Sequence, residues 1–492
     1  MSRAFLLPVA LALLGAACAV GPNYHAPAPP QSTDYGAAPV SGPTTATANV
    51  PGGTAQHFEL GRELPPEWWR LYQSQALDQL VRAALQDNPG VAAAQAALRE
   101  ANELYAAQRA TLFPSLQGGF SALRAKNALA TIANPTSLPQ TNPYYNLFTA
   151  QLSVSYQADV FGGQRRALEA QEAGVEVTRF ELEATYLTLT SNVVVTALQE
   201  AALREQIAAT ERLLALQREL TSTVEAQQGL GSASRLDLLS QQAAEGQTAA
   251  TLPPLRKQLA QTRDALSALL GQLPQADPPA RVDLAELTLP ADLPVSLPAR
   301  LIEQRPDVRA AAANLHAATA EVGVAIADML PQFTLTAQLG SSALEIGKLF
   351  SSYTGFWAAG ASLSQTLFDA GALRHRKRAA DAALDQAGAE YRAAVLLACE
   401  NVADSLHALA ADADLLAATA ATEQAARESF EIAREQRTLG GISTVALLNA
   451  EQSYRQAQLA LIQARANRYA DTAALFQALG GGWWNRPKGE SP

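Results

Sequence analysis

The chain has 492 residues, of which 48% are hydrophobic but only 6% aromatic, a composition typical of long, closely packed helices rich in alanine and leucine. Its formal net charge of -10 argues against nucleic acid as a partner, because phosphate binding needs a basic field. Among its five histidines none has metal-ligand spacing to another, and the chain has no glycine-rich phosphate loop or nucleophile motif. We therefore expect no enzyme activity, no metal and no cofactor.

The amino terminus resembles a bacterial lipoprotein signal. Arg3 precedes an apolar stretch that is too short to span a bilayer and predicts a signal peptide over residues 1–17. The stretch ends at Cys18 in a sequence similar to a lipobox, with Gly15 where a large aliphatic residue is usual. We expect a covalent lipid on Cys18, the alternative being cleavage beside an unmodified cysteine. No other stretch is long and apolar enough for a transmembrane helix, so strands must do any spanning.

Two segments rich in proline and small residues divide the rest of the chain. Residues 18–62 show little periodicity and predict an extended tether after Cys18, and residues 273–299 predict a linker. They flank a first structural repeat at 63–272 and a second at 300–484, followed by a tail at 485–492. Corresponding marks recur in the same order in the two repeats: Asn88-Pro89, Phe113-Pro114, Val160-Phe161 and Leu230-Gly231, then Arg305-Pro306, Leu330-Pro331, Leu367-Phe368 and Leu439-Gly440. An internal duplication explains this order.

Each repeat contains two segments in which apolar and polar residues alternate. They predict strands at about 115–124 and 147–161 in the first repeat, and at about 332–343 and 355–368 in the second. Strands that cross an outer membrane need roughly 9 to 11 residues, apolar toward lipid and polar toward a lumen, and all four segments meet these conditions. Two hairpins on a soluble core would show the same pattern.

Each strand pair precedes a predicted hairpin of long helices, at about 164–228 and 234–270, then at about 371–438 and 443–479. Apolar residues recur every seven positions in the first of these, as at Leu168, Val175 and Leu182. A helix of about 65 residues reaches about 100 Å at its usual rise. Because four strands cannot enclose a channel and unpaired edges cannot face lipid, we expect several copies to share one barrel, continued by helices.

Four short sequences resemble one known family. Residues 18–24 (Cys-Ala-Val-Gly-Pro-Asn-Tyr), Glu67–Tyr72, Ala84–Pro89 and Arg305–Arg309 are similar to recurring sequences of the NodT-type outer membrane factor lipoproteins, relatives of TolC. The resemblance covers nearly the whole mature chain. It implies a mixed fold, a membrane β-barrel joined to a long α-helical barrel, in a homotrimer whose protomers each contribute four strands to a twelve-stranded barrel.

The same resemblance implies a function. The chain would be a lipid-anchored exit duct of the bacterial outer membrane that extends into the periplasm and exports small molecules such as drugs. Its partners would be a periplasmic membrane-fusion adaptor, an inner-membrane pump of the resistance-nodulation-division class and outer-membrane lipid. An exit duct for type I protein secretion and a periplasmic adaptor lipoprotein remain alternatives at this point.

The turns of the two helical hairpins are where the resemblance places a periplasmic gate and the adaptor contact. The candidate residues are Gly231, Ser232, Ser234 and Asp237 in the first turn, and Gly440, Gly441, Ile442 and Ser443 in the second. Ile442 aligns with an aspartate of several family members, so a threefold ring of isoleucines would close the pore by apolar contact. Asp237 either contributes to gating or only favours the helix dipole, and the glycines either shape the tip or only end helices.

A basic cluster follows the last predicted strand: Arg374, Arg376, Lys377 and Arg378. Basic residues at a helix start oppose its dipole, so we expect another cause, contact with lipid phosphates at the membrane interface. A solvated collar and pairing with nearby carboxylates are the alternatives. Trp357 is a candidate for an aromatic girdle at a membrane interface.

Overall fold

A computed structural model of the chain describes residues 19–32, 34–35, 42–126, 144–276 and 278–486. The predicted signal peptide, Cys18 and residues 487–492 of the predicted tail lie outside the described residues. The chain divides into two compact units, one of Met1–Ala26, Leu98–Val177 and Ala311–Tyr391, the other of Pro27–Ala97, Thr178–Ala310 and Arg392–Pro492.

The two halves of the sequence contain matching series of helices and strands. The first series is β1 (His57–Leu60), α1 (Gln75–Asp87), α2 (Pro89–Ala110), β2 (Ser115–Lys126), β3 (Tyr144–Ala158), α3 (Gly163–Gly229) and α4 (Arg235–Leu269). The second is β4 (Asp292–Val295), α5 (Pro298–Gln304), α6 (Pro306–Ala327), β5 (Gln332–Ala343), β6 (Gly355–Ser364), α7 (Ala372–Thr438) and α8 (Thr444–Ala478). Helices α3 and α7 both have 67 residues, and α4 and α8 both have 35. Equal lengths are what an internal duplication produces.

The first unit contains an antiparallel four-stranded sheet in the order β2-β3-β5-β6. Strands β3 and β6 end at Ala158 and Ser364, earlier than the predicted 161 and 368, because aspartates soon after them cap the next helices. Asp159 accepts hydrogen bonds from the backbone of Gln164 and Arg165, both at 3.0 Å, and Asp369 accepts one of 2.7 Å from Leu373. A carboxylate at this position satisfies amides that a helix leaves unpaired.

Parts of the predicted extended tether and of the predicted linker form strands. In the second unit β1 pairs in parallel with β4, with His57 opposite Asp292. Gln56, just before β1, is fully buried and donates a hydrogen bond of 3.1 Å to Thr472 of α8. A parallel pair of four-residue strands so far apart in sequence has no local pattern by which it can be predicted.

Two helices of the described part of the chain contain an 18-residue window with a mean hydropathy of 1.2: Pro306–Ala327 and Ala372–Thr438. By length and composition alone, both are long and apolar enough to cross a membrane. The expectation that no stretch beyond the signal peptide qualifies was therefore wrong. Alanine raises the hydropathy of both windows without contributing large apolar side chains. Core helices of soluble proteins meet the same criterion, so this finding alone assigns no helix to a membrane.

Candidate functional site

The strand register of the four-stranded sheet separates an apolar face from a polar one. One row of paired residues is apolar on three neighbouring strands: Leu152, Leu339 and Trp357. The adjacent row is polar on three strands: Gln117, Ser153 and Gln338. Since successive residues of a strand point to opposite faces, the two rows lie on opposite sides of the sheet. The alternation along each strand is therefore matched between strands.

The apolar face of this sheet is not covered by the protein itself. Leu152 is 51% exposed, Leu339 is 62% exposed and Trp357 is 77% exposed. Leu116 and Phe120 of β2 are also exposed. Burial of such side chains is favourable by about 25 cal/mol per Å² of apolar surface, and a contiguous exposed patch of them marks a surface for lipid or another protein.

The sheet has two open edges within the described residues. Strand β2 pairs only with β3, and β6 pairs only with β5. Each edge strand is ten residues or longer and has a row of backbone N–H and C=O groups facing outward. Edges of this length are templates for pairing with another chain, and in hydrocarbon they must be paired.

The turns between the long helices have the same backbone geometry in both repeats. Gly231 and Gly440 each have φ +76°, and a Cβ built on either would meet no atom within 4 Å. Their N–H groups donate to the carbonyls of Gln228 and Arg437, at 3.0 and 3.1 Å. Glycine is therefore required at both positions by the left-handed conformation and not by lack of space.

Serine residues begin the returning helices. The Ser234 hydroxyl accepts a hydrogen bond of 3.1 Å from the Asp237 N–H, while the Asp237 carboxylate accepts bonds from the Ser234 N–H and hydroxyl. These bonds from Ser234 lower the pKa of Asp237. Ser443 accepts a bond of 3.2 Å from the Ala446 N–H. Asp237 thus completes a capping box, a local role in addition to the interaction with the helix dipole that the sequence indicated.

Large apolar side chains, which were not among the candidate residues, are also exposed at these turns, the tips of the two helical hairpins. Leu230 and Leu439 precede the two turn glycines, and each is 85% exposed. Leu236 and Val445, in the first turns of α4 and α8, are exposed as well. Ser232, between them, donates to the Gln227 carbonyl at 2.9 Å. The signal for this surface was present in the sequence, because leucine is unusual in a glycine-containing turn.

Ile442 is only partly exposed. It packs against a buried cluster formed by Phe430, Ala433 and Leu447. Leu216 and Leu220 of α3 are also partly buried and pack against the same cluster. Part of the Ile442 side chain therefore stabilises the second turn within the chain. The remaining surface is the part that is available for a contact outside the chain.

A buried polar cluster lies near the tips, formed by residues that were not among the candidates predicted from the sequence. A cavity of about 340 Å³ is lined by Gln217 of α3, Thr248 of α4, and Glu451 and Arg455 of α8. Glu451 is 1% exposed, and neither of its carboxylate oxygens has a hydrogen-bond partner of normal geometry. Burial raises the pKa of Glu451 to about 7, against smaller opposing effects of Gln217 and Arg455. Arg455 donates to the Thr248 hydroxyl at 2.9 Å.

The basic cluster at the start of α7 is partly paired. Lys377 lies 2.7 Å from the Asp381 carboxylate, one helical turn further on. Arg374, Arg376 and Arg378 are exposed. The Asp369 carboxylate at the helix start offsets the unfavourable interaction of these cations with the helix dipole. Pairing with carboxylates therefore accounts for the lysine and leaves three arginines facing outward.

The described residues contain no group of three or more His, Cys, Asp or Glu side chains that could hold a metal ion. A cavity of about 780 Å³ in the second unit is lined by Trp69, Trp483 and Glu183, among others. Arg486 approaches the Glu183 carboxylate to 3.2 Å, and burial raises the pKa of that carboxyl group. This aromatic cavity therefore contains an internally paired charge.

Comparison with known proteins gave matches over nearly the whole chain. The model of the outer membrane efflux protein family matches residues 80–272 and 297–481. The pyoverdine export outer membrane protein OpmQ of Pseudomonas putida is 31% identical over 480 residues, which is 97% of each chain. The toluene efflux pump outer membrane protein TtgI of Pseudomonas putida is 28% identical over 97% of this chain and 98% of its own.

Two solved structures share the fold. The outer-membrane channel OprN superposes with a TM-score of 0.82 at 28% identity, covering 95% of this chain and 100% of that one. The CmeC outer membrane channel of Campylobacter jejuni superposes with a TM-score of 0.85 at 22% identity, covering 94% of this chain and 95% of its own.

Proposed function

The chain belongs to the outer membrane efflux protein family, and from that premise we propose that three copies assemble into one gated exit duct. Each copy contributes four strands to a closed barrel of twelve, and the long helices continue the wall into the periplasm. The duct is passive: its cargo moves through a lumen, and the chain catalyses no reaction.

The exposed apolar face of the four-stranded sheet is the observation that carries this proposal. Leu152, Leu339 and Trp357 face lipid, and the row with Ser153 and Gln338 lines the lumen. Pairing of β6 of one copy with β2 of the next removes both open edges at once. Closure between copies is required because a single four-stranded sheet would leave unpaired backbone groups in hydrocarbon, at several kcal/mol each.

The helical tips serve as the periplasmic gate and the adaptor contact. Leu230 and Leu439, both 85% exposed, form the apolar surface on which a periplasmic membrane-fusion adaptor docks. The exposed part of Ile442 contributes one side chain to a threefold apolar constriction. An inner-membrane pump of the resistance-nodulation-division class supplies the cargo through the adaptor.

The lipid anchor and the exposed arginines hold the protein at the membrane. Cys18 carries a covalent lipid, and Arg374, Arg376 and Arg378 contact phosphates of the inner leaflet. Trp357 lies on the lipid-facing side of β6, where an indole suits the interface.

Small organic molecules are the cargo class that we propose. Relatives of this chain are named for the export of pyoverdine and of toluene. Efflux is therefore favoured over type I protein secretion. The adaptor alternative is not retained, because the family of outer membrane efflux proteins matches both repeats.

A matched pair of variants tests the barrel. Leu339→Arg places a cation toward lipid at a cost of roughly 2–4 kcal/mol, whereas Gln338→Arg places it toward the lumen. We expect purified wild type to be a trimer with rare openings in planar bilayers, Gln338→Arg to insert with a shift toward anion selectivity, and Leu339→Arg to lose insertion. A monodisperse monomer that never inserts, or equal insertion by both variants without a change in selectivity, would overturn the proposal.

A further inference from the structure

The first described residues of the chain pack closely against the residue after β3 and against α6 in the first unit. The Val20 N–H donates to the Phe161 carbonyl at 3.0 Å, just after β3. Gly21, with φ +95°, lies directly against Gly323 of α6, and a Cβ built on Gly21 would come within 2.5 Å of the Gly323 Cα. Two glycines permit this close approach of backbone to helix, and any side chain at either position would interfere with it.

A buried arginine of α3 binds the same segment. Arg166 is 4% exposed, and its Nε donates to the Val20 carbonyl at 3.1 Å. Its Nη2 donates to Asn23 Oδ1 at 2.7 Å, and its Nη1 contacts the Glu169 carboxylate at 2.8 Å. A buried guanidinium is tolerated only when its donors are satisfied, so the segment and Arg166 depend on each other.

A ring contact closes the far end of the site. Tyr24 stacks on His316 of α6 with ring centroids 4.4 Å apart and planes at 16°. His316 Nε2 lies 2.9 Å from Glu169 Oε1, and Glu169 also contacts Arg166. The carboxylate therefore connects the arginine that binds Asn23 with the imidazole that binds Tyr24.

We propose that α3 and α6 form a receptor site for the segment Ala19–Tyr24, and that this site fixes where the lipid on Cys18 enters the bilayer. The second part rests on the proposed lipidation. Ala19 lies against Gly162, on which a built Cβ would come within 2.6 Å of the Ala19 Cα. Ala19, which follows Cys18 in the sequence, therefore lies beside the end of β3.

This arrangement couples anchoring to insertion. A lipid on a loose tether would let the strands explore a wide volume below the membrane, whereas a lipid seated beside β3 raises the effective concentration of the strands at the bilayer surface. The site therefore acts before the barrel is closed, as a positioning device for the strands of each copy.

Backbone hydrogen exchange of the full chain in detergent tests the receptor site. In Gly323→Val the new side chain would meet Arg166 and the Val20 carbonyl, and we expect exchange at Val20 to become about 100-fold faster. Gly174→Val is the matched control, because a Cβ on this glycine of α3 meets nothing within 4 Å. Slow exchange at Val20 in Gly323→Val, or fast exchange in wild type, would overturn the proposal.

A second pair of variants keeps the test independent of folding defects. Asn23→Leu retains the side-chain size but removes the oxygen that accepts from Arg166, whereas Asn23→Asp retains an acceptor. We expect faster exchange at Val20 in the leucine variant only, with channel conductance as the check that both proteins fold. Equal exchange in the two variants would exclude Arg166 as the binding group.

Two measurements distinguish the presence of the lipid from its positioning by the site: the mass of the N-terminal peptide and the rate of trimer assembly. A missing acyl mass on the N-terminal peptide would remove the anchor but leave the exchange result intact. With the acyl mass present, we expect Gly323→Val to form SDS-resistant trimers about tenfold more slowly than Gly174→Val, in line with a lower effective concentration of strands at the bilayer. Equal rates would show that the site does not position the anchor.

Discussion

Replacement of Glu451 by glutamine is predicted to remove a pH dependence from the helical tips. The Glu451 carboxyl is buried in the cavity between α3, α4 and α8, and burial raises its pKa from 4.5 to about 7. The neutral form is therefore the one that fits the packed tip. When Glu451 ionises, it attracts Arg455, which lies four residues further along α8 and otherwise bonds to Thr248 of α4 at 2.9 Å.

The magnitude and sign follow from the two pKa values. A rise from 4.5 to about 7 corresponds to roughly 3 kcal/mol at 1.36 kcal/mol per pKa unit. Because the pKa of the packed form is raised, this contribution to stability is fully present below pH 4.5 and is lost as the pH rises through 7. The packed tip is thus favoured at acidic pH and opens more readily at neutral pH.

Hydrogen exchange of peptides from α4 and α8, measured between pH 5 and pH 8 and corrected for intrinsic exchange, checks this prediction. We expect the free energy of local opening in wild type to fall by about 2.5 kcal/mol over this range, and to stay constant in Glu451→Gln. Glu435→Gln is the control, since Glu435 is exposed on α7. A Glu451→Gln protein that retains the wild-type pH dependence would refute the assignment to this carboxyl group.

Three further predictions concern the tips and the N-terminal segment. Ile442→Asp should widen openings and favour cations in single-channel recordings, because it places a charge in the apolar constriction; unchanged conductance and selectivity would remove Ile442 from the gate. Gly440→Ala should lower tip stability by about 1 kcal/mol in exchange experiments, while Gly441→Ala, at a position without positive φ, should change it little. Thr44→Val removes the hydroxyl that accepts hydrogen bonds from two buried donors, and it should destabilise the packing of residues 42–60 by about 3 kcal/mol. The control Thr45→Val, at an exposed position, should cost less than about 1 kcal/mol, both values being measured by protection from hydrogen exchange.

The features that could be predicted from the sequence are those with a local period. Alternation around Leu152 and Leu339 predicted strands, and the register places both residues in one apolar row. Glycine in the turns predicted the breaks between the long helices, where Gly231 and Gly440 adopt the same positive φ. These patterns are visible because the residues that produce them are neighbours in the chain.

The features that could not be predicted depend on residues far apart in the chain. His57–Leu60 pairs with Asp292–Val295, and Gln56 contacts Thr472, yet none of these segments has a period of its own. Glu451 occupies a helix whose sequence does not distinguish a solvated glutamate from a buried one. Its burial is set by packing of α8 against α4, and the residue pattern within one helix does not contain this information.

The arginines that follow the strands show why a charge pattern alone does not assign a role. Arg165 and Arg166 follow β3 much as Arg374 and Arg376 follow β6, so position in the sequence does not distinguish the two pairs. In the structure Arg165 pairs with Asp159 at 3.1 Å, and Arg166 is buried beneath the N-terminal segment. The difference arises from a contact between Gly21 and Gly323 that permits backbone to cover Arg166, whereas Arg374 and Arg376 are exposed. The two repeats therefore carry arginines at corresponding positions, but the contact with residues 19–24 gives only the first repeat a buried arginine that binds backbone.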